Sequence, residues 1–550
     1  MRAVHPSAFR CRPAARTEPV SPGGAVSPLP RRTFLLGAAA LGTLTACGGG
    51  LPRVRTGPAP AVAENQTLTV GVATLQQQYV DPVLANEGGN TYPLKWSVGE
   101  PLVRQNYDTS FGPGLATSWS VSPDGLKWTF ELRPGVLMHD GSRFTARDVA
   151  TSIERVRKDP GFTSYAAYSS RIAHVEVLGD SHVAVTSVKP YANLPVDTPP
   201  PIATAYYQRV GEQAFRARPV AAGPFRFAAQ RVNDSITLQR FDEFWDHTRI
   251  PNFATLVLKI LPQETTRIAG LQTGQIDIAQ GVTPNGAALL DGVEGIRLQR
   301  VRDASSGAIF FFDNYFPDKA SPLRDVRVRK ALLMALDRPS IANALYRGFG
   351  TVPPNLTLPV TLGNDTSLQA VPYDPDGARA LLAEAGATGF TLPFSLYNQT
   401  TAIADVQKLG EAVTGYWQQA GVDVRMSVMD PATYLDRTVK HQLSGAGILG
   451  LPGLLISDPQ KLGVYFASDG GYSTAKDPQL DSLFRGIDAA IDPARKRQLG
   501  GEVSRYLYNT WYAIPVVSLD AVYALGPRVA GFQTMNGNPY AGPFWGLRAY

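Results

Sequence analysis

The sequence pattern that most suggests covalent chemistry is a serine three residues before a lysine. Ser473-Thr474-Ala475-Lys476 fits S-x-x-K, in which the lysine amine takes the serine proton and the serine oxygen attacks an acyl carbon. The surrounding stretch is rich in Gly and Ser, and the companion S-D-N and K-T-G patterns are missing from the sequence. An exposed loop is the favoured interpretation, and a secreted serine hydrolase is the alternative.

Other catalytic and metal-binding patterns are absent from the sequence. It contains no G-x-S-x-G, no P-loop and no H-E-x-x-H. None of the histidines pairs with another at a spacing typical of metal ligands. The six histidines are His5, His139, His174, His182, His247 and His441. We therefore predict no catalytic residue, no metal site, no cofactor, and no haem or nickel coordination by a histidine cluster.

Paired arginines near the amino terminus predict an export signal over residues 1–46. Arg31 and Arg32 precede a thirteen-residue apolar run, Phe34 to Ala46, which is too short to span a bilayer comfortably. The arginine pair resembles a twin-arginine signal, and an ordinary secretory signal is the alternative.

A cysteine directly after that run predicts a lipid anchor. Leu44-Thr45-Ala46-Cys47 resembles a lipobox, in which the Cys47 thiol carries a diacylglycerol thioether; the alternative is a free cysteine after an ordinary cleavage site. The other cysteine, Cys11, lies in the segment to be removed, so the processed chain forms no internal disulfide. Residues 47–65 are rich in Gly, Pro and Ala and are predicted to be a flexible tether.

Net charge argues against a nucleic-acid partner. The pI is about 9.1 and the net charge is +6. Residues 1–46 hold six Arg and one Glu, which is +5, so residues 47–550 carry about +1. No basic run with interleaved aromatics follows in the remainder. The 550 residues are enough for two or three domains.

Residues 112–157 carry the clearest succession of elements. Leu126 to Leu132 alternates apolar and polar residues, which predicts a half-buried strand. Turn sequences stand on both sides of it. Thr145 is a predicted helix N-cap, and Asp148 three residues later completes a box-like pattern. The stretch is therefore predicted to be strand, turn, short strand, turn and helix.

The order of motifs in this stretch resembles the bacterial extracellular solute-binding proteins of family 5. The motifs are LATSW, DG, WTFELRPGV, HDG and FTARDV. Residues 322–332 and 373–386 carry further similar segments, and the resemblance covers roughly residues 66–550. Members of this family are receptors of ABC importers for oligopeptides, dipeptides and nickel.

The resemblance implies an α/β, two-lobed periplasmic-binding-protein-like fold of class II type, with a subdomain inserted into lobe one. It implies an extracytoplasmic, monomeric receptor that closes around a solute by a hinge and delivers it to permease subunits. The implied parts are lobe one at 66–108, 221–315 and 516–550, the inserted subdomain at 109–220, and lobe two at 316–515.

The resemblance also implies a set of ligand-binding residues. Asp313 and Asn314 are expected at the hinge, and the tyrosines are expected to line the cleft or, alternatively, to pack in the core. The full set is Gly89, Asn90, Tyr92, Tyr165, Tyr168, Asp313, Asn314, Leu451, Pro452 and Asp458.

One cleft segment departs from the family pattern. Peptide receptors of the family often have "GWxGD" followed by "DP", and the first acid pairs with the peptide's amino group. Here the segment 447–459 keeps only Asp458-Pro459, and Leu, Pro and Gly replace the acid and the tryptophan. The cleft is therefore expected to be more apolar, with Asp458 either replacing the missing acid or serving as a turn residue. A peptide or peptide-like solute is predicted, and an apolar non-peptide or a glycoside is the alternative.

Overall fold

The computed structural model describes residues 66–75, 80–83, 92–106, 110–159, 166–359, 361–398, 403–453, 458–534 and 547–549. The predicted export signal with Arg31 and Arg32, Cys47 and the tether lie outside the described residues. Gly89, Asn90 and Tyr165 also lie outside them, as does the side chain of Tyr92.

The largest sheet among the described residues has eleven strands and passes through both lobes. Gly350–Thr351 pairs beside one of its central strands. In spatial order the remaining strands are Asp423–Met429, Thr391–Tyr397, Ala446–Pro452, Arg297–Phe311, Ala513–Leu525, Ile278–Gln280, Thr67–Val72, Thr255–Ile260, Ser235–Arg240 and Phe225–Arg231.

Lobe one is built around a parallel strand trio. Thr67–Val72 pairs in parallel with Thr255–Ile260 and with Ile278–Gln280. Its alternating Leu68, Val70 and Val72 are buried in the lobe-one core because apolar residues at period two line one face of a strand. The helices of this lobe are Tyr92–Val98, Glu264–Gln272 and Pro284–Leu290. A small strand pair, Val529–Ala530 with Arg548–Ala549, lies near the end of the chain.

The inserted subdomain has its own antiparallel sheet, in the order Ala116–Val121, Lys127–Leu132, His182–Ser187, Ile172–Val177. The predicted strand and helix are confirmed: Trp128 and Phe130 are buried, and Thr145 donates its backbone N–H to Asp148 (2.8 Å) at the start of Ala146–Lys158. The smaller elements are the strands Val103–Gln105 and Phe111–Pro113 and the helices Ala166–Ser169, Leu194–Asp197, Thr204–Val210 and Glu212–Ala217. We call its hydrophobic cluster the inserted core.

Lobe two is α/β, with helices around the strands at the other end of the large sheet. Several helices start at an Asp-Pro pair, because Asp caps the free N–H groups and proline suits the first helical position. The helices are Val326–Met334, Arg338–Tyr346, Pro375–Glu384, Val406–Gln419, Pro431–Val439, Gly463–Phe466, Pro478–Ala489 and Pro493–Thr510. Their apolar faces form the lobe-two core.

Two long strands connect the lobes. The outgoing strand, Arg297–Phe311, pairs with the return strand, Ala513–Leu525, along both lobes. Val301 and Ala304 belong to the lobe-one core, whereas Ala308 onward belongs to the lobe-two core. The pairing register shifts between Val301 and Ser305, so the chain crosses between lobes at this bulge.

Candidate functional site

The candidate site is the cleft where the carboxyl ends of the parallel strands approach the crossing. In lobe one these are the ends of Thr67–Val72 and Ile278–Gln280. In lobe two they are the ends of Thr391–Tyr397 and Asp423–Met429. Ligands of open α/β sheets bind outside the carboxyl ends of strands. The fold thus places two such edges on either side of one bulged crossing.

The strand Ala446–Pro452, here called the cleft strand, runs toward this crossing. Its Leu451 and Pro452 pair with Ser306 and Ser305 of the outgoing strand. Leu451 is fully buried in the lobe-two core, and Pro452 is buried as well. The structure therefore brings both predicted residues to the cleft edge, with the Leu451 side chain packed inward rather than into the cleft.

Asp458 follows the cleft strand in the sequence, and both oxygens of its carboxylate accept hydrogen bonds. Oδ1 accepts the backbone N–H of Gln460 (3.0 Å), which caps the short turn Pro459–Leu462. Oδ2 accepts from Asn193 Nδ2 (2.6 Å) and from Lys496 Nζ (3.1 Å). Burial opposes its ionisation, but the charges of Lys496 and Lys461 and the hydrogen bonds from Gln460 and Asn193 together outweigh burial, so the pKa of Asp458 lies below its usual value. This arrangement favours the turn role over an ammonium clamp.

Asp313 and Asn314 lie at the far end of the outgoing strand. Asp313 accepts from Ser321 Oγ (2.7 Å) and from the N–H of Gly445 (3.1 Å), which precedes the distal end of the cleft strand. Asn314 accepts from the buried Arg329 (3.2 Å). The outgoing strand continues through the lobe-two sheet before it reaches them, so both residues lie beyond the bulged crossing.

Tyr168 packs inside the inserted subdomain. It is 3% exposed, its ring lies 6.3 Å from that of Tyr191, and its hydroxyl is 3.3 Å from Thr198 Oγ1. This placement favours the packing role that the sequence also allows.

A groove of about 490 Å³ opens at the carboxyl end of Thr391–Tyr397. Its polar side chains include Asn398, Asp405, Gln407 and Glu411. Asp405 has a left-handed backbone (φ 55°) just before the helix Val406–Gln419. Sequence reasoning missed this groove, and the available signal was a polar Asn398 directly after a buried strand.

The serine–lysine pair has no acyl-transfer geometry. Ser473 is 2% exposed and donates its hydroxyl to the carbonyl of Ala475 (2.9 Å). The Lys476 ammonium stands 4.4 Å above the Tyr315 ring. A serine nucleophile needs an adjacent base and access to substrate, so a structural role of this motif is favoured over a hydrolase. The expected exposed loop is wrong, because Ser473, Thr474 and Ala475 are buried.

The described residues also limit which metal sites and membrane spans are present. No group of three or more His, Cys, Asp or Glu side chains there is placed to hold a metal ion. No helix there is long and apolar enough to cross a membrane.

Known proteins resemble this chain over most of its length. The profile described as bacterial extracellular solute-binding proteins, family 5 Middle, matches residues 110–471. The chain belongs to this family. Heme-binding protein A of Haemophilus influenzae is 27% identical to this family 5 protein over 485 residues, which are 82% of this chain and 87% of that one. The dipeptide-binding protein of Escherichia coli is 28% identical over 62% of this chain and 67% of its own.

The fold is that of solved binding proteins. The periplasmic binding protein DppA from Helicobacter pylori, in complex with the peptide STSA, superposes with a TM-score of 0.73 at 21% identity. The match covers 88% of this chain and 98% of that one. The predicted family and the two-lobed α/β fold are therefore confirmed.

Proposed function

We propose that this family 5 protein is a lipid-anchored extracytoplasmic receptor that captures a peptide or peptide-like solute and delivers it to an ABC importer. The observation that carries the proposal is the pair of facing sheet edges joined by the outgoing and return strands. Such a crossing permits rigid closure of two lobes around a solute. Family membership supports the same function.

Closure gives the mechanism its energetic basis. A solute that contacts both edges of the cleft is bound more tightly by the closed state and shifts the population toward it. The closed state then presents a joint surface of both lobes to the permease subunits. No bond is made or broken, so the protein is not an enzyme.

Two observations bear on the solute class. The names of the dipeptide-binding relative and the peptide-bound DppA favour a peptide or peptide-like solute. The engagement of Asp458 by Asn193 and Lys496 favours a solute without a free ammonium group, such as a blocked peptide, an apolar non-peptide or a glycoside. The heme-binding relative adds haem to the apolar candidates.

The proposal of a lipid anchor is supported by the sequence alone. Arg31 and Arg32 would direct export, and a lipid on Cys47 would hold the body outside the membrane on the tether 47–65. We expect the receptor to act as a monomer.

The first test is a thermal-shift screen of the purified protein against peptides, amino-blocked peptides, glycosides and haem. A solute at a hundredfold excess over its Kd stabilises the protein by about 2.7 kcal/mol. Stabilisation by free peptides means that another group replaces the missing acid. Stabilisation only by blocked or apolar solutes means that this cleft does not bind ordinary peptides. Hydrolysis of a stabilising solute that is abolished by Ser473→Ala would contradict the binding-protein proposal.

A further inference from the structure

The inserted subdomain and lobe two meet in a closed polar triad. Asn193 Nδ2 donates to Asp458 Oδ2 (2.6 Å), and Lys496 Nζ donates both to Asn193 Oδ1 (2.5 Å) and to Asp458 Oδ2 (3.1 Å). Only 15% of the Asp458 side chain and 11% of the Lys496 side chain remain exposed. Each group of the triad therefore satisfies the other two in a site that is largely closed to water.

The three residues are attached to two different hydrophobic cores. Tyr191 and Leu194, on either side of Asn193, belong to the inserted core. Leu462 follows Asp458, Leu499 follows Lys496, and both belong to the lobe-two core. The triad can therefore break by movement of one core relative to the other, without unfolding either.

A second contact joins the same two surfaces. Arg171 of the inserted subdomain is 3.1 Å from Asp488 Oδ1, and the N–H of Ala192 donates to the Asp488 carbonyl (2.9 Å). Gln460 donates to the same Asp488 carboxylate, and Ile491 packs against the inserted core. The two lobes thus contact each other through matched polar groups with an apolar residue beside them.

We infer that Asn193, Asp458 and Lys496 form an inter-lobe latch that holds this receptor closed before any solute binds. The inference rests on the proposed closure mechanism but not on the identity of the solute. Asp458 and Lys496 are positioning residues for closure: they carry the charge pair that links the lobes. The segment 447–459 keeps only the Asp-Pro pair of the family pattern. Its acid, Asp458, pairs with Lys496 of the protein instead of with an ammonium group of the solute.

The latch has a consequence for affinity. A ligand that binds the closed state has an apparent Kd equal to its intrinsic Kd divided by the closed fraction. A weakened latch therefore raises the apparent Kd of every solute by the same factor, whatever its chemistry. Opening returns both charges to water, so the net contribution of the pair is modest, and we expect an increase in Kd of roughly threefold to tenfold.

The test is small-angle X-ray scattering of the ligand-free protein and of three variants, Asp458→Asn, Lys496→Met and Asn193→Ala. Asn keeps the capping of the turn at 458 because it is an equally good N-cap. Met keeps the length of the lysine stem without its charge. Lys440→Met is the matched control, because Lys440 pairs with Asp436 on the exposed surface of one lobe-two helix. Circular dichroism and thermal melting establish that each variant is folded.

We expect each latch variant to show a larger radius of gyration than the wild type and the control, and Lys496→Met to add little in the Asn193→Ala background. Unchanged scattering from folded variants would overturn the latch and make the triad a fixed structural contact. If Asp458→Asn and Lys496→Met fail to fold, the scattering of the Asn193→Ala variant tests the latch. A screen without any stabilising solute would count against the proposed function, whereas the scattering result would still decide the latch.

Discussion

At the scale of single residues, the Asp-Pro pair shows what a sequence conveys and what it omits. Asp374, Asp430, Asp477 and Asp492 each precede a proline and cap a helix of lobe two through backbone N–H groups. Asp458 caps its turn in the same way. That local role was predictable because Asp and Pro act on neighbouring backbone. The contact with Asn193, 265 positions away, has no local signature.

His139 should make stability depend on pH. It is half-buried, its Nε2 lies 2.9 Å from the Gly223 carbonyl, and its Nδ1 accepts the N–H of Ala221 (3.3 Å), so the ring is neutral. Burial lowers the pKa of His139 from 6.5 to about 4. The unfolded chain therefore binds the proton first, and stability present above pH 6.5 is lost as the pH falls toward 4. This group alone should cost about 2 kcal/mol between pH 7 and pH 5.

The measurement is urea unfolding at both pH values for the wild type and for His139→Gln. Gln keeps a donor and an acceptor but does not titrate, so the loss between pH 7 and pH 5 should shrink by about 2 kcal/mol. His174→Gln is the control, because His174 is exposed on the strand Ile172–Val177. An equal pH dependence in wild type and His139→Gln would show that another group is responsible.

At the scale of elements, the sequence predicted strands and helices well where a local pattern defines both ends. The helix Pro375–Glu384 begins after Asp374 and ends before Gly386, whose φ is +65°. The outgoing strand was harder to predict. Only its buried end shows an apolar run, whereas its lobe-one end is half polar and its bulge follows no sequence rule. The apolar run therefore points to a crossing near Asp313, whereas the bulge of the strand lies at Asp303.

Asp303 should be the residue that sustains this bulge. It has a left-handed backbone (φ 52°), and its carboxylate accepts from Ser518 Oγ of the return strand (2.6 Å). Asp303→Ala removes the hydrogen bond and keeps a Cβ in the left-handed region, whereas Asp303→Gly removes the bond and also relieves that strain. We expect the Ala variant to be about 1 kcal/mol less stable than the Gly variant, with Asp303→Asn nearest to wild type. Chemical unfolding of the three variants measures this, and equal stability of Ala and Gly would contradict the strain.

The helix Val406–Gln419 offers a matched pair of glycines. A Cβ at Gly415 would meet nothing within 4 Å, so Gly415→Ala should stabilise the protein by about 0.5–1 kcal/mol through helix propensity. A Cβ at Gly410 would lie 2.7 Å from Cδ2 of the fully buried Leu396. Gly410→Ala should therefore destabilise by about 1–3 kcal/mol through overpacking. Thermal melts of both variants measure the two effects. A change in melting temperature of the same sign in both variants would contradict this account of the packing.

At the scale of the whole molecule, the candidate site was predictable in outline only. Motifs in a fixed order indicated two lobes and a cleft, and the fold has both. The cleft edges, however, combine chain segments far apart in sequence, such as the ends of Thr67–Val72 and Thr391–Tyr397. The direction of a side chain at those edges depends on the pairing register of its strand. A shift of the register by one residue turns each side chain to the other face of the sheet. Leu451, for example, pairs with Ser306 beside the crossing, but its side chain packs in the lobe-two core.

Processing of the amino terminus should change the charge and the location of the whole protein. Removal of residues 1–46 takes away +5 of the chain's +6, so the processed protein should focus well below the pI of about 9.1. Cys47→Ala should leave the protein out of the membrane fraction, because a lipid on this residue is the membrane attachment that we predict. Isoelectric focusing and detergent phase partitioning of cell fractions measure both effects. Replacing Arg31 and Arg32 together by Lys separates export from anchoring, because a twin-arginine signal should then retain the precursor inside the cell with its basic segment intact. Membrane retention of Cys47→Ala protein with the same isoelectric point as the wild type would contradict lipidation.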